Sequence, residues 1–296
     1  MNNNEWPITP DKETSKKRES GRRERYSGVC DVYSPEEAHA MADELRRNRK
    51  NPDRKVMIGV MTHPLVLNPE MADPNEVREV FPAREAMAGG FTDDSDVLNT
   101  VHYADLYGPN GGQNIFENLE LVVRYGGEYL HAIQLDLVWP EPAEIKKFKE
   151  KNPNIIIILQ VGKFAIEDTK GDPQEIVNRL HEYGDSVGHV LLDMSMGKGE
   201  SMEAGGLLPL LRLIKKKLPE LGLAVAGGLG PESSPGFNLI AREFPDISHD
   251  AQGNVKPADA PRDRLGHLIS TTPADSGRSI KYIQEKCAIL DNPLEE

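Results

Sequence analysis

The sequence contains little of what several classes of protein require. Only two of its 296 residues are cysteines, and Cys30 and Cys287 lie far apart, without the spacing of a metal motif. No segment reaches the roughly 18 consecutive apolar residues that a membrane-spanning helix needs, and the first 28 residues lack the apolar core of a signal peptide. These absences exclude a disulfide framework and predict a soluble protein of the cytoplasm.

Positive charge is also scarce. The 35 lysines and arginines are outnumbered by 48 acidic residues, which gives a formal net charge of −13. This charge opposes sequence-independent binding to nucleic acid or to an anionic membrane, so we expect neither partner. The eight histidines are scattered singly, and we expect no metal and no cofactor. A metal site assembled from Asp105, Asp136 and His249 on different strands stays open, as does the oligomeric state.

The first part of the chain differs in composition from the rest. Residues 1–28 mix both charges with Asn, Ser, Gly and Pro, and they contain almost nothing that could offset the entropy of ordering. We predict a flexible tail there. From Ser34, the sequence Ser-Pro-Glu-Glu is typical of a helix N-terminus, and this helix should end near Asn51. The predicted organisation is therefore a tail (1–28), a helical extension (29–52) and a main domain (53–296).

Apolar, β-rich runs alternate with helical stretches over that main domain. Such alternation predicts parallel strands covered by helices. Seven runs qualify as strands: 55–61, 100–106, 130–135, 155–161, 189–194, 222–226 and 246–249. We predict an α/β fold, a (β/α)8 TIM barrel preceded by the N-terminal extension and its extra helix, with the missing strand around 86–97. The competing fold is an open doubly wound sheet, although no GxGxxG motif follows the first run.

Polar residues cluster where the predicted strands end. In a barrel of this kind the active site forms at the carboxyl ends of the strands. A single polar residue there often caps a helix or satisfies loop backbone, but many converging ionisable groups lose hydration unless they serve a ligand. The candidates are Thr62, His63, Asp105, Gln134, Asp136, Gln160, Lys163, Asp193, His249 and Asp250.

Two glycine-containing segments are more specific. Residues 227–230 (GGLG) directly follow the run that ends at Ala226, so the backbone there can approach a ligand and its N–H groups can bind a phosphate dianion. The alternative is an ordinary turn from strand to helix. The loop at 196–201 carries Lys198 between two glycines, as expected of a loop that closes over an anionic substrate.

These segments together resemble a known family. The stretches LLDMSMGKGESME (191–203), LAVAGGLGPES (223–233) and DISHDAQG (246–253) are similar to phosphoribosylanthranilate isomerase, a barrel enzyme of tryptophan biosynthesis with LLD, GxGK, AGGL and DVSSG-like segments. AIQLD (132–136) is similar to the family's VQLH, and KVMIGVMT (55–62) to its first-strand KICGLT.

The resemblance implies an Amadori rearrangement. In this reaction a phosphoribosyl amine opens its ring and loses the C2′ proton to give an aminodeoxyribulose phosphate, which requires an acid and a base. Asp193 matches the family's general acid, and Gln134 lies in the strand similar to VQLH. The phosphate would lie on Gly227, Gly228 and the backbone near Gln252 and Gly253, with Lys198 closing over it and Asp250 or Asp246 near the aromatic amine.

The base is where the sequence departs from the family. The family's base is the cysteine of KICG, and by the glycine at 59 its place is taken by Ile58. We therefore expect the catalytic cysteine to be missing and His63 or Asp136 to accept the proton. Two alternatives stay open: another phosphosugar epimerase, decarboxylase or lyase, in which Lys163 forms a Schiff base, or a non-catalytic binding protein. In each case the partner is a phosphorylated, pentose-derived small molecule.

Overall fold

Eight parallel strands form a closed barrel in the computed structural model, which describes residues 24–68, 70, 80–105, 112–136, 139–193, 204–232, 235–263 and 268–293. Each strand pairs with the next along the chain, and the last pairs with the first. The strands are β1 (Arg25–Cys30), β2 (Arg54–Thr62), β3 (Val97–Ala104), β4 (Ala132–Asp136), β5 (Ile156–Val161), β6 (His189–Asp193), β7 (Gly222–Ala226) and β8 (Ser248–Ala251). The predicted TIM barrel is confirmed, and the open sheet is excluded.

Helices cover the outside of the barrel. Those of the described residues are α1 (Pro35–Asn48), α2 (Pro64–Leu67), α3 (Ile115–Gly126), α4 (Pro142–Lys151), α5 (Lys163–Asp168), α6 (Pro173–Glu182), α7 (Ala204–Lys217), α8 (Pro235–Glu243) and α9 (Ser276–Asp291). Within the described residues, no helix is long and apolar enough to cross a membrane.

The seven predicted runs are all strands, but the position expected for the eighth was wrong. Residues 84–86 form a 3₁₀ turn and the next strand begins only at Val97, whereas the missing strand is β1. Its sequence, RYSGVC, is short and contains a serine and a glycine, so it gives little β signal. It is buried because it lies between β2 and β8, a contact that no local pattern reveals.

The barrel therefore begins at Arg25, and the predicted boundaries at 28 and 52 do not hold. Helix α1 is the connection between β1 and β2 and not an extension. The predicted helix is confirmed, and its apolar stripe of Ala38, Met41, Ala42 and Leu45 is buried. Residues 1–23, which make up most of the predicted tail, lie outside the described residues.

Side chains alternate between the inside of the barrel and the helix layer, as the period of a strand requires. The centre of the barrel is filled by a cluster of mostly apolar side chains from seven strands: Tyr26, Met57, Leu98, Ala132, Ile158, Leu191 and Ala224. Each inward position closer to the carboxyl end is two residues further along its strand. This alternation turns Cys30, His102, Gln134, Asp136, Asp193 and Asp250 towards the mouth of the barrel.

Candidate functional site

His102 lies at the centre of a polar cluster inside the carboxyl end of the barrel. It is 2% exposed. Its Nδ1 lies 3.2 Å from Gln134 Nε2, 3.6 Å from Asp136 Oδ2 and 4.0 Å from Asp250 Oδ2. The fourth neighbour is Cys30, whose Sγ is 3.7 Å from the same nitrogen. Four strands thus bring a thiol, an amide and two carboxylates around one imidazole.

Glycines on the first two strands make room for this cluster. A Cβ atom at Gly59 would lie only 2.5 Å from His102 Nε2, and one at Gly28 would lie 2.7 Å from Asp250 Oδ1. Both distances are far below van der Waals contact, so no other residue type fits these positions without displacing its neighbour. Gly59 is also directly opposite Cys30 in the β1–β2 pairing.

The cluster holds protons tightly. Burial raises the pKa of Cys30 to about 12, and Asp31 adds to the rise while His102 opposes it. Burial alone would lower the pKa of His102, but Cys30 and Asp136 raise it well above its ordinary value. Burial, with Asp136 and Asp193, raises the pKa of Asp250 to about 6 against the opposing effect of His102. At neutral pH Cys30 is therefore a thiol, while the charge of Asp136 favours the protonated form of His102.

The loops after β7 and β8 form the other wall of the same cleft. Gly227 and Gly228 adopt positive φ angles of 100° and 66°, and Asn254 Nδ2 donates a hydrogen bond of 2.8 Å to the carbonyl of Gly228. A 3₁₀ turn at Gly253–Val255 follows β8. Glycines at positive φ expose backbone N–H groups that are suited to an anion.

The structure brings most of the predicted site residues into one cleft. Its lining includes Gln134, Asp136, Asp193, Gly227, Gly228, Asp250, Gln252 and Gly253, and also His102, Gln160 and Asn254. Asp136 and Gln134 are in direct contact, since Gln134 Nε2 donates to Asp136 Oδ1 at 3.0 Å. Lys198 lies outside the described residues, and so does the side chain of Lys163.

His63 is not part of this cleft lining. Its Nδ1 accepts a hydrogen bond of 3.1 Å from Leu65 N and so caps α2, while its ring stacks on Phe81 with 5.5 Å between centroids. Burial lowers the pKa of His63 to about 4. The proton transfer predicted for His63 thus has no geometric support, because the side chain is already engaged as a helix cap.

Two other expectations are corrected by position. Asp246 lies at the amino end of the barrel, 2.7 Å from Arg25 Nη2, and so cannot face a ligand at the mouth. His249 points outwards, where its ring nitrogens contact Ser27 and Tyr282. The metal site suggested by Asp105, Asp136 and His249 is therefore not assembled, and the described side chains contain no group of three metal-ligating residues.

Cys30 and His102 were not among the site residues predicted from the sequence. Ile58, taken as the counterpart of the family's cysteine, lies on the second strand and packs in the helix-facing core. The first strand ends instead at Cys30, at the inner face of the mouth. The sequence does contain a sign that a strand ends at Cys30, because a helix that begins with Ser-Pro-Glu-Glu follows it, as a helix follows each strand of a barrel. His102 lies within a predicted strand but not at its end.

Comparison with known proteins shows the fold. No family model and no curated protein matches the chain. Among solved structures, phosphoribosyl anthranilate isomerase from Thermococcus kodakaraensis is 17% identical, covers 91% of this chain and 99% of its own, and has a TM-score of 0.50. Triosephosphate isomerase from Bartonella henselae is 10% identical over 77% of this chain and 92% of its own, with a TM-score of 0.45. Identities this low show the fold alone.

Proposed function

We propose that this chain is an intramolecular aldose–ketose isomerase of the phosphoribosylanthranilate isomerase type, acting on a phosphorylated pentosyl amine. The observation that carries the proposal is the contact of 3.7 Å between Cys30 Sγ and His102 Nδ1 at the mouth of the barrel. Cys30 ends the first strand, where the resembling family has its catalytic cysteine. The absence inferred from Ile58 rested on counting β2 as the first strand.

The base in this proposal is the pair formed by Cys30 and His102. His102 lines the cleft, whereas Cys30 is fully buried beside it. After the pair has lost one proton, the thiol and the imidazole share the proton that remains. This form accepts the proton from C2′ of the opened sugar and returns to a thiol beside an imidazolium. Asp136 and Asp250 favour the imidazolium by their negative charge.

Asp193 is assigned the role of general acid. It ends β6 and lines the cleft beside Gly227 and Gly228. In the proposed reaction it protonates the ring oxygen as the bond from that oxygen to C1′ breaks. The phosphate is then bound by the backbone of Gly227, Gly228 and Gly253, where positive φ angles at the first two and a short helical turn at the third present N–H groups.

Turnover of phosphoribosylanthranilate, followed as the loss of its fluorescence, tests the proposal. The variants Cys30→Ala, His102→Gln and Asp193→Asn are each expected to lower kcat by about 10²- to 10⁴-fold, as loss of an acid or base does. Cys287→Ala is the matched control, because Cys287 is the other cysteine and lies on α9. Absence of turnover by the unmodified chain would refute the proposal. If ribulose phosphates then still raised its thermal stability, a non-catalytic binding protein would be favoured.

A further inference from the structure

A buried ion pair lies beside the cleft without being part of its lining. Asp31 Oδ2 is 2.7 Å from Lys256 Nζ, and both side chains are fully buried. Asp31 directly follows Cys30, and its φ angle of 65° is one that residues other than glycine rarely adopt. Lys256 directly follows the 3₁₀ turn at Gly253–Val255. The proposed reaction uses neither charge.

Both charges have further hydrogen-bond partners. Asp31 accepts a hydrogen bond from Gln252 Nε2 at 3.0 Å, and Tyr33 OH lies 3.3 Å from its Oδ1. Lys256 Nζ donates to the carbonyls of Ile269 and Thr272 at 3.1 and 2.6 Å. Several hydrogen bonds to each charge offset the free energy that a buried ion pair loses with its hydration. Removing one of the two charges leaves the other buried and uncompensated.

Further hydrogen bonds to backbone carbonyls join the same two parts of the chain. Ala274 N donates to the carbonyl of Asp31 at 2.9 Å, and Tyr33 OH donates to the carbonyl of Ser270 at 2.7 Å. Ser270 N in turn donates to the carbonyl of Val80 at 2.8 Å. The ion pair is therefore the buried centre of a junction between the end of β1 and the segment that leads from β8 to α9.

We propose that Asp31 and Lys256 are positioning residues, whose ion pair fixes the end of β1 against the turn after β8. The first of these elements carries Cys30, and the second carries Gln252 and Gly253. This inference rests on the proposed function, in which Cys30 belongs to the base and the backbone of Gly253 binds the phosphate. The two therefore lie on opposite sides of one junction. A buried ion pair suits this task because it tolerates little displacement of either charge.

The reactivity of Cys30 reports on this junction without any turnover. In a Cys287→Ala background Cys30 is the only cysteine. Because loss of the Lys256 cation does not favour the Cys30 thiolate, faster alkylation by iodoacetamide at a fixed pH reports greater exposure of Cys30. Lys256→Met is expected to increase this rate at least about tenfold by local opening, and to weaken the binding of inorganic phosphate about as much. Because the opening is local, the alkylation rate should not respond to low concentrations of urea.

Arg54→Met is the matched control. Arg54 is the buried cation at the other end of the barrel, where it donates to the carbonyls of Tyr26 and Ile247 at 3.0 Å each. Its loss is expected to lower the free energy of unfolding while any added alkylation rises with urea, as global unfolding does. If Lys256→Met does not fold, Asp31→Asn is tested by the binding of inorganic phosphate and not by alkylation, because loss of the Asp31 charge by itself lowers the pKa of Cys30.

The inference is overturned if folded Lys256→Met alkylates at the unmodified rate, or only through global unfolding, or if folded Asp31→Asn binds inorganic phosphate as tightly as the unmodified chain. Failure of the proposed function is a separate result, because it appears as absent turnover in the unmodified chain while alkylation of Cys30 still reports on the junction. Both variants should also lower kcat/KM in an active enzyme, whereas Arg54→Met should not do so at temperatures where it stays folded.

Discussion

Replacing Gly59 by alanine is the sharpest single test of the site geometry. The added Cβ would lie 2.5 Å from His102 Nε2, 3.0 Å from its Cδ2 and 3.2 Å from Cys30 Sγ. Since ordinary contact begins near about 3.5 Å, the imidazole must move by about 1 Å. The ring is held by Gln134, Asp136 and Cys30, so this movement disturbs the whole cluster. Overpacking of a buried site costs about 1–3 kcal/mol of unfolding free energy, and a displacement of 1 Å at a catalytic group lowers turnover by about 10²-fold.

Urea unfolding followed by intrinsic fluorescence measures the first effect, and turnover of phosphoribosylanthranilate measures the second. Gly206→Ala is the control, because Gly206 is exposed on α7 and a Cβ there meets nothing within 4 Å. That variant is expected to be unchanged or more stable by up to about 1 kcal/mol, since alanine is the better helix former. If Gly59→Ala matched the unmodified chain in both unfolding and turnover, the placement of His102 against Gly59 would be wrong.

Three further predictions concern pH. The pKa values of both Cys30 and His102 are raised, so kcat/KM should keep rising between about pH 7 and pH 9. A plateau above about pH 6 would instead identify the carboxylate of Asp250 as the base. The pKa of Asp250 is raised from 3.8 to about 6, so the stability that its protonated form contributes is present below pH 3.8 and lost as pH rises through 6. Asp250→Asn should remove this loss of about 3 kcal/mol in the free energy of unfolding. Identical dependence of urea unfolding on pH in the variant and the unmodified chain would contradict it. The pKa of His63 is lowered from 6.5 to about 4, so the stability that its neutral ring contributes is present above pH 6.5 and lost as pH falls through 4. His63→Asn keeps a capping acceptor and should reduce the loss of unfolding free energy in acid by up to about 3 kcal/mol. An unchanged midpoint of acid unfolding would count against a buried neutral ring.

The strands that the sequence predicts are those whose burial is visible locally. The runs that became β5 and β6, IIIILQV and HVLLDM, consist largely of residues that favour strands, and the structure confirms both. β1 lacks this composition, and its place depends on pairing with β8, which is far along the chain. A strand of this kind is found by closure of the ring and not by its own residues.

The candidate site divides in the same way. Asp193 and Asp250 were predicted because each stands at the end of a recognisable strand, and both line the cleft. The proximity of Cys30 to His102 depends on the register of three strands, in which Cys30 pairs with Gly59 and Met61 with His102. Counting β2 as the first strand pointed to Ile58 as the counterpart of the cysteine. Because side chains alternate along a strand, Ile58 faces the helices, whereas its neighbour Gly59 faces the inside of the barrel.

The pairing of β1 with β8 has a consequence for how the chain folds. Ser27 lies opposite His249, and Tyr26 N donates to Ser248 Oγ across a separation of 222 residues, whereas every other neighbouring pair of strands is consecutive. During synthesis β1 therefore waits for its second partner until almost the whole barrel has been made. In that interval the open edges of β1 and of the latest strand are available to other chains. The synthesis of the intervening residues and the final closure of the ring together set how long a growing chain is exposed to aggregation.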